Sequence, residues 1–251
     1  MTNKKTISIY LLSLSFILYF LSFPAYPASL EDAQRQYLFG NLDKAVRLAK
    51  RLRSSAQNIY FLGLVYIKKK EYRKARYYFK KIIDNYQNSY FYQKSQIKLA
   101  DSYFFEGSYQ KANQLFTNIL NKKNQKNDEP LILLRLAQVA AKQGKWADKE
   151  KYSTVLKNRY PNSLEIKYIK ILDSYGSFFT VQIGAFSDKS NALNLYNQIS
   201  KDFDDHVFIV EKKNQDFPIY KVRVGKFKDR YSVEKLAEKL QNQGYPTRIY
   251  P

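Results

Sequence analysis

The side chains of this chain that could do chemistry are mainly hydrogen-bond donors near its carboxyl-terminal end. Polar and apolar residues alternate over 179–185 and 219–227, and this places Gln182, Lys221 and Arg223 away from the apolar residues of the same segments. An amide and two cations on an exposed surface can donate hydrogen bonds to hydroxyl, carbonyl and carboxylate oxygens. The pattern therefore predicts a polar binding surface.

Nucleophilic and metal-assisted chemistry is disfavoured by the composition. The 251 residues include no cysteine and a single histidine, His206. The lack of cysteine excludes disulfides, thiol nucleophiles, thiolate ligands and a lipid-modified N-terminal cysteine. The lone histidine argues against multi-histidine metal sites and Ser-His-Asp catalysis. The adjacent carboxylates Asp128–Glu129 and Asp204–Asp205 diverge and fall in predicted turns. We therefore expect no catalytic residue, no cofactor and no metal.

The predicted donors belong to a segment with the element order β-α-β-β-α-β. Alternating stretches predict strands, and apolar residues at three- and four-residue spacing predict helices. The strands are predicted at 179–185, 207–210, 219–227 and 245–250, and the helices at about 189–203 and 232–243. This order covers one face of a four-stranded antiparallel sheet with two helices and leaves the other face open.

Strict alternation also assigns individual side chains to the two faces of this sheet. It places Ala185 with the buried residues of the first strand, and Thr180 and Gly184 on the open face beside Gln182. On the third strand, Ile219 is expected to be exposed and to add apolar surface.

Two stretches of this segment resemble the signature strands of the SPOR (sporulation-related repeat) domain. They are Phe179-Thr180-Val181-Gln182-Ile183-Gly184-Ala185-Phe186-Ser187 and Ile219-Tyr220-Lys221-Val222-Arg223-Val224-Gly225-Lys226-Phe227. Ala192 and Leu195 stand where that domain has its helix alanine and leucine, and the helix at 233–244 completes a likeness that spans residues 176–251. Two such strands at the right spacing are more specific than either alone.

The SPOR resemblance implies binding to peptidoglycan, specifically to glycan strands stripped of stem peptides, as occur at division septa. It implies no catalytic activity and a glycan site on the open sheet face. The residues that match those associated with the site are Gln182, Ser187, Lys221 and Arg223. Lys221 replaces the usual arginine and lacks its planar donor fork. Thr180 and Ile219 complete our set of candidate glycan-binding residues, Ile219 because it could pack on a sugar face.

Residues 29–173 predict a domain of repeated helix pairs. The clearest copies are centred on Leu62-Gly63-Leu64-Val65-Tyr66 with Ala75 and Phe79, and on Leu99-Ala100 with Tyr103, Ala112 and Phe116. They resemble the tetratricopeptide repeat, in which small residues let antiparallel helices approach and aromatic residues fill the gap. Lys149 departs from the pattern because it stands where the fourth copy should have its alanine. The resemblance implies an α-solenoid scaffold that binds unidentified protein partners, closed by a capping helix at 162–173.

Residues 1–28 predict an export signal. A basic pair precedes the uncharged run 7–23, and Pro24 ends that run. The run is shorter than the roughly 20 residues that span a bilayer comfortably. Cleavage after Ala28 would leave the bulky Tyr26 at a position that prefers small residues, so an N-terminal inner-membrane anchor through 7–23 stays an alternative. Both alternatives place the rest of the chain in the periplasm, where we expect enrichment at the septum.

The net charge of +21 is unevenly distributed along the chain. The first 28 residues contribute +2, residues 29–174 contribute +16 and residues 175–251 contribute +3. The segment Lys44–Lys81 has 13 basic residues and one acid, Glu71. This basic band either steers an anionic partner or reflects a lysine-rich composition, and the sequence leaves both alternatives open.

Two other functions fit parts of the sequence. An open sheet of the RNA-recognition type, together with basic repeats, would bind nucleic acid. Three observations argue against this function: the predicted export, the small net charge of the sheet domain, and the lack of an aromatic-rich strand on the exposed face. A glycan hydrolase needs paired carboxylates, which adjacent acids do not supply. We therefore predict an exported, non-enzymatic envelope protein that serves cell division or wall remodelling.

Overall fold

The structure is a computed structural model that describes residues 29–122, 128–203, 206–213 and 217–251. The predicted signal or anchor at 1–28 lies outside the described residues, and so do Asp204 and Asp205. Among the helices of the described ranges, none is long and apolar enough to cross a membrane.

Within the described ranges, nine helices precede a βαββαβ domain, which confirms the predicted fold class. The helices are α1 (Leu30–Leu38), α2 (Leu42–Arg51), α3 (Ala56–Lys68), α4 (Tyr72–Asn85), α5 (Phe91–Glu106), α6 (Tyr109–Leu120), α7 (Glu129–Gln143), α8 (Trp146–Arg159) and α9 (Ile166–Ser174). The elements that follow are β1 (Phe179–Phe186), α10 (Lys189–Asp202), β2 (Val207–Lys213), β3 (Pro218–Phe227), α11 (Arg230–Asn242) and β4 (Arg248–Tyr250).

The chain divides into two compact units, and the first ends at Ser95, within α5. In this unit α1 packs against α2, and α3 packs against α4. The close approach of α3 and α4 depends on Gly63, because a Cβ at this position would lie 2.5 Å from the ring of Phe79. Ala45 and Ala75 are fully buried, as expected for small residues where two helices cross.

The second unit contains the remaining helices together with the whole βαββαβ domain. Here Lys149 of α8 is almost fully buried, and its ammonium lies 2.8 Å from the carboxylate of Asp173 in α9. Lys157, two turns further along α8, pairs with the same carboxylate at 2.7 Å. The lysine that replaces the repeat alanine therefore ties α8 to the helix that closes the repeats.

The sheet has the strand order β2-β3-β1-β4, and all three strand pairs are antiparallel. Both helices pack on one face, over a core formed by the inward side chains of the strands. Each helix begins at an aspartate, Asp188 or Asp229, whose carboxylate accepts backbone N–H groups of the first turn. The face away from α10 and α11 is called the open face below.

The first strand departs from strict alternation at a β-bulge between Gln182 and Gly184. Ile183 is buried, and Gly184 also faces the helices, since a Cβ there would lie 2.8 Å from Leu195. Ala185 is consequently exposed. The predictions that Gly184 faces the open side and that Ala185 is buried are wrong, because the bulge shifts the alternation by one residue.

Candidate binding surface on the open sheet face

One row of side chains crosses all four strands of the open face. Gln182 on β1 lies between Arg248 on β4 and Arg223 on β3, and Arg223 pairs in register with Phe208 on β2. Adjacent strands lie about 4.8 Å apart, so the row spans about 14 Å. We call these four residues the cross-strand row. It brings together the predicted Gln182 and Arg223, which are 41 positions apart in the sequence.

Arg223 is the most buried member of the row, with 3% of its surface exposed. Its guanidinium lies 4.5 Å from the ring centre of Tyr250 and 5.5 Å from that of Tyr175, within the range of cation–π attraction. Burial lowers the pKa of Arg223, and the two tyrosines oppose that effect. Its Nε has no hydrogen-bond partner, and neither does the buried Oε1 of Gln182. An unpaired buried donor and acceptor side by side are polar groups that a ligand can satisfy.

Lys221 lies two residues before Arg223 on β3 and faces the same side. Burial lowers the pKa of Lys221, and the neighbouring cations Lys212, Arg223 and Arg248 lower it further. These four side chains therefore form one positive cluster. Their mutual repulsion would be relieved by an anionic ligand.

The open face carries cations, whereas the acidic residues of this domain that the structure describes lie elsewhere. The cations on this face are Lys212, Lys221, Arg223, Lys226 and Arg248, and none of them forms an ion pair with a carboxylate of the described ranges. Asp188 and Asp229 cap the helices, and Glu234 pairs with Arg230 on α11. The small net charge of +3 for residues 175–251 is therefore compatible with a cluster of cations on one face of the domain.

The remaining predicted site residues are less central. Ile219 is half-buried and pairs in register with Lys212 on the open face. Ser187 is exposed just beyond the end of β1. Thr180 is fully buried, and its hydroxyl donates to the Val224 carbonyl at 3.1 Å. Thr180 is thus engaged in holding β1 against β3 and is not available to a ligand in this arrangement.

Several residues of this surface were not predicted from the sequence. Arg248 and Tyr250 belong to β4, which has three residues where the sequence predicted a strand over 245–250 and assigned no side chain of it to a face. Tyr175 precedes the first strand and reaches Arg223 only through folding. Phe208 and Tyr250 each put one aromatic ring on the open face, on two different strands.

Comparison with protein families identifies both parts of the chain. Residues 175–249 match the model of the SPOR domain, and residues 46–165 match that of a tetratricopeptide repeat-like domain. Both predicted resemblances are confirmed. Curated proteins include none that matches the chain.

Solved structures similar to the chain are distant in sequence. They include pilF of Pseudomonas aeruginosa (19% identity, TM-score 0.41, 59% of this chain and 69% of that chain), a variant of the putative kinesin light chain TPR-like repeats of Podosopora anserina (17%, 0.45, 63% and 89%) and MamA of AMB-1 (13%, 0.42, 59% and 82%). At these TM-scores none of them bears on the function of this chain.

Proposed function

We propose that this chain, which joins tetratricopeptide-like repeats to a SPOR domain, binds denuded glycan strands of peptidoglycan and recruits protein partners to them. A SPOR domain implies peptidoglycan binding, and repeats of this kind imply protein interaction; both are non-catalytic binding modules. The protein would be exported to the periplasm and either released by cleavage of the signal or anchored through residues 7–23, and it would be enriched at the septum in cell division or wall remodelling.

The observation that carries the proposal is the cross-strand row with its unpaired Gln182 and Arg223. A glycan strand presents hydroxyls, acetamido carbonyls and lactyl groups. The guanidinium of Arg223 and the ammonium of Lys221 can donate to its oxygens, and the unpaired Oε1 of Gln182 can accept a hydrogen bond from a hydroxyl. Rings such as Tyr250 offer a flat apolar surface for a sugar face. Removal of a stem peptide by an amidase breaks the amide at the lactyl carbonyl and leaves a carboxylate, which suits the cluster of cations described on this face.

The repeats would supply the partner-binding part of the protein. In the first unit, the basic band Lys44–Lys81 covers parts of α2, α3 and α4, and most of its lysines and arginines are at least partly exposed. Within the band, Lys69 and Lys74 both form ion pairs with Glu71. The band would attract the anionic wall over distances of about 8 Å at physiological salt.

We expect the full-length protein to sediment with sacculi, and to do so more strongly after an amidase has removed the stem peptides. An affinity in the micromolar range, about −8 kcal/mol, is expected for a shallow polar surface. The measurement is the bound fraction at increasing sacculus concentration, with undigested sacculi as the control. Equal binding to both preparations, or none to either, would contradict the proposal.

Nucleic-acid binding is the second candidate function, because the open face combines cations with aromatic rings. Single-stranded nucleic acids use positive grooves and stacking platforms of this kind. The aromatic residues Phe208 and Tyr250, however, lie on the two edge strands of the sheet. The buried Arg223 lies on a central strand between them. Titration of RNA at several salt concentrations tests this alternative: tight binding that weakens steeply with salt would favour it over glycan.

A further inference from the structure

The central arginine of the cross-strand row is nearly inaccessible to a ligand. Arg223 has 3% of its surface exposed, and its buried Nε has no hydrogen-bond partner among the described residues. A glycan oxygen can accept a hydrogen bond from this Nε only if the two atoms come within about 3 Å of each other. One of the groups that bury Arg223 must therefore move before a glycan strand can bind to this donor.

Most of the groups around Arg223 are held in place by the sheet. Gln182 and Phe208 pair in register with Arg223 on the two neighbouring strands. Tyr250, whose ring centre lies 4.5 Å from the guanidinium, pairs in register with Thr180. The backbone of these residues cannot move away from Arg223 without breaking hydrogen bonds between paired strands.

Tyr175 differs from these residues because it lies outside the strands. It is the C-cap residue of α9, where its backbone N–H donates to the Leu172 carbonyl, and β1 begins four residues later. Its partly exposed ring lies with its centre 5.5 Å from the Arg223 guanidinium. Rotation of a partly exposed side chain is a fast motion that breaks no strand pairing. It gives up the cation–π contact with Arg223.

We infer that Tyr175 is a movable cover on the glycan site, with its ring on Arg223 in the free protein and turned away when a glycan strand binds. This inference rests on the proposed function and adds control of access to it. A ligand that needs Arg223 binds only to the uncovered fraction of the molecules, so the cover lowers the apparent affinity by that fraction. Because α9 carries the cover, the helix that closes the repeats takes part in controlling access to the SPOR site.

The first test measures the cover itself and needs no glycan. Phenylglyoxal modifies accessible guanidinium groups, and mass spectrometry of peptides gives the rate at each arginine of the full-length protein. Arg223 is expected to react more slowly than the exposed Arg248. Tyr175→Ala is expected to raise the Arg223 rate about threefold, and Tyr175→Trp to lower it, because tryptophan forms the strongest cation–π contacts. Arg135, which is ion-paired with the buried Asp101, reports unfolding and should react at an unchanged rate.

The second test titrates the same full-length proteins with amidase-denuded strands. Tyr175→Ala is expected to bind about threefold more tightly than the wild-type protein, because affinity rises with the same uncovered fraction as the modification rate. Tyr175→Trp is expected to bind more weakly. The matched control is Tyr231→Ala, which removes a tyrosine ring from an exposed position of α11 and should change neither the Arg223 rate nor the affinity.

The inference is overturned if Tyr175→Ala leaves the Arg223 rate unchanged, or if it raises that rate without strengthening glycan binding. Weaker binding by Tyr175→Ala would mean that the ring supports the sugar instead of covering the site. If a faster Arg135 reaction reveals that Tyr175→Ala unfolds, Tyr175→Trp decides, and an Arg223 rate or an affinity no lower than that of the wild-type protein overturns the inference. Failure of the wild-type protein to bind denuded strands would overturn the proposed function, whereas the Arg223 rates would still test the cover.

Discussion

Replacing Arg223 with methionine is expected to weaken binding to denuded glycan about 100-fold. Arg223 lies at the centre of the cross-strand row and holds an unpaired Nε. A hydrogen bond to a charged group contributes about 1.5–3 kcal/mol, and loss of about 2.7 kcal/mol corresponds to 100-fold. Methionine keeps much of the volume between Tyr175 and Tyr250, so the fold should be retained.

The stability of the same variant separates binding from folding. Arg223→Met loses cation–π contacts of about 0.5–1 kcal/mol each but also removes a buried charge without an acidic partner. We therefore expect the free energy of unfolding to change by no more than about 1 kcal/mol.

The matched control for Arg223 is Lys226→Met. Lys226 is another cation of the open face, with its ammonium 5.1 Å from the ring centre of Phe208, but it is exposed. Its replacement is expected to weaken binding only two- to threefold, roughly the contribution of an exposed charge. Titration of denuded strands measures both affinities. Equal losses for the two variants would mean that the face attracts glycan only by its net charge.

The prediction for Arg223 also applies to the localisation of the protein in dividing cells. A fluorescent fusion of the full-length protein with Gln182→Ala and Arg223→Met together is expected to lose septal enrichment, while the Lys226→Met fusion keeps it. Unchanged septal enrichment of the double variant would place the targeting determinant outside the open face.

Replacing Asp173 with asparagine is expected to destabilise the second unit by about 3 kcal/mol. Lys149 is buried and makes its ion pair with Asp173. Removal of one partner of a buried pair leaves the other charge uncompensated, which typically costs about 3–5 kcal/mol. The control Asp148→Asn removes an exposed carboxylate from α8, the helix that carries Lys149, and should change stability by less than about 0.5 kcal/mol.

The single tryptophan provides the measurement. Trp146 lies on α8 in the unit that contains Asp173, so its fluorescence during urea denaturation reports unfolding of that unit. The double variant Lys149→Met with Asp173→Leu is expected to recover most of the lost stability, because apolar residues replace buried ion pairs well. No recovery would indicate that packing, rather than the unpaired charge, explains the loss.

The Asp173 pair also predicts a pH dependence. Burial raises the pKa of Asp173, but its bonds to Lys149 and Lys157 outweigh burial and the pKa in the folded protein is lowered. A lowered folded-state pKa contributes stability above the pKa of the unfolded chain, and this contribution is lost as the pH falls through the folded-state value. The stability difference between wild type and Asp173→Asn should therefore shrink below about pH 4. A constant difference down to about pH 2 would contradict this assignment.

The sequence predicted element types well because each type has its own period. A period near 3.6 identified the repeat helices, and a period of 2 placed Gln182, Lys221 and Arg223 away from the core of the sheet. The same rule failed at Gly184 and Ala185, where a bulge inserts a residue into β1. Lys149 was visible as a departure from the repeat, but its partner Asp173 belongs to another helix and could not be identified from spacing.

By itself, then, the sequence determined the kinds of elements, their order and the two family resemblances, because these depend on local period and local motifs. Tertiary structure decided which side chains are neighbours: Arg248 lies beside Gln182, and two tyrosines surround Arg223. It also revealed that a domain of small net charge has a cluster of cations on one face. Which side chains are neighbours depends on strand register and on helix packing between residues that are distant in the sequence. Periodicity assigns a residue to one face of its element but does not identify the residue that lies opposite it.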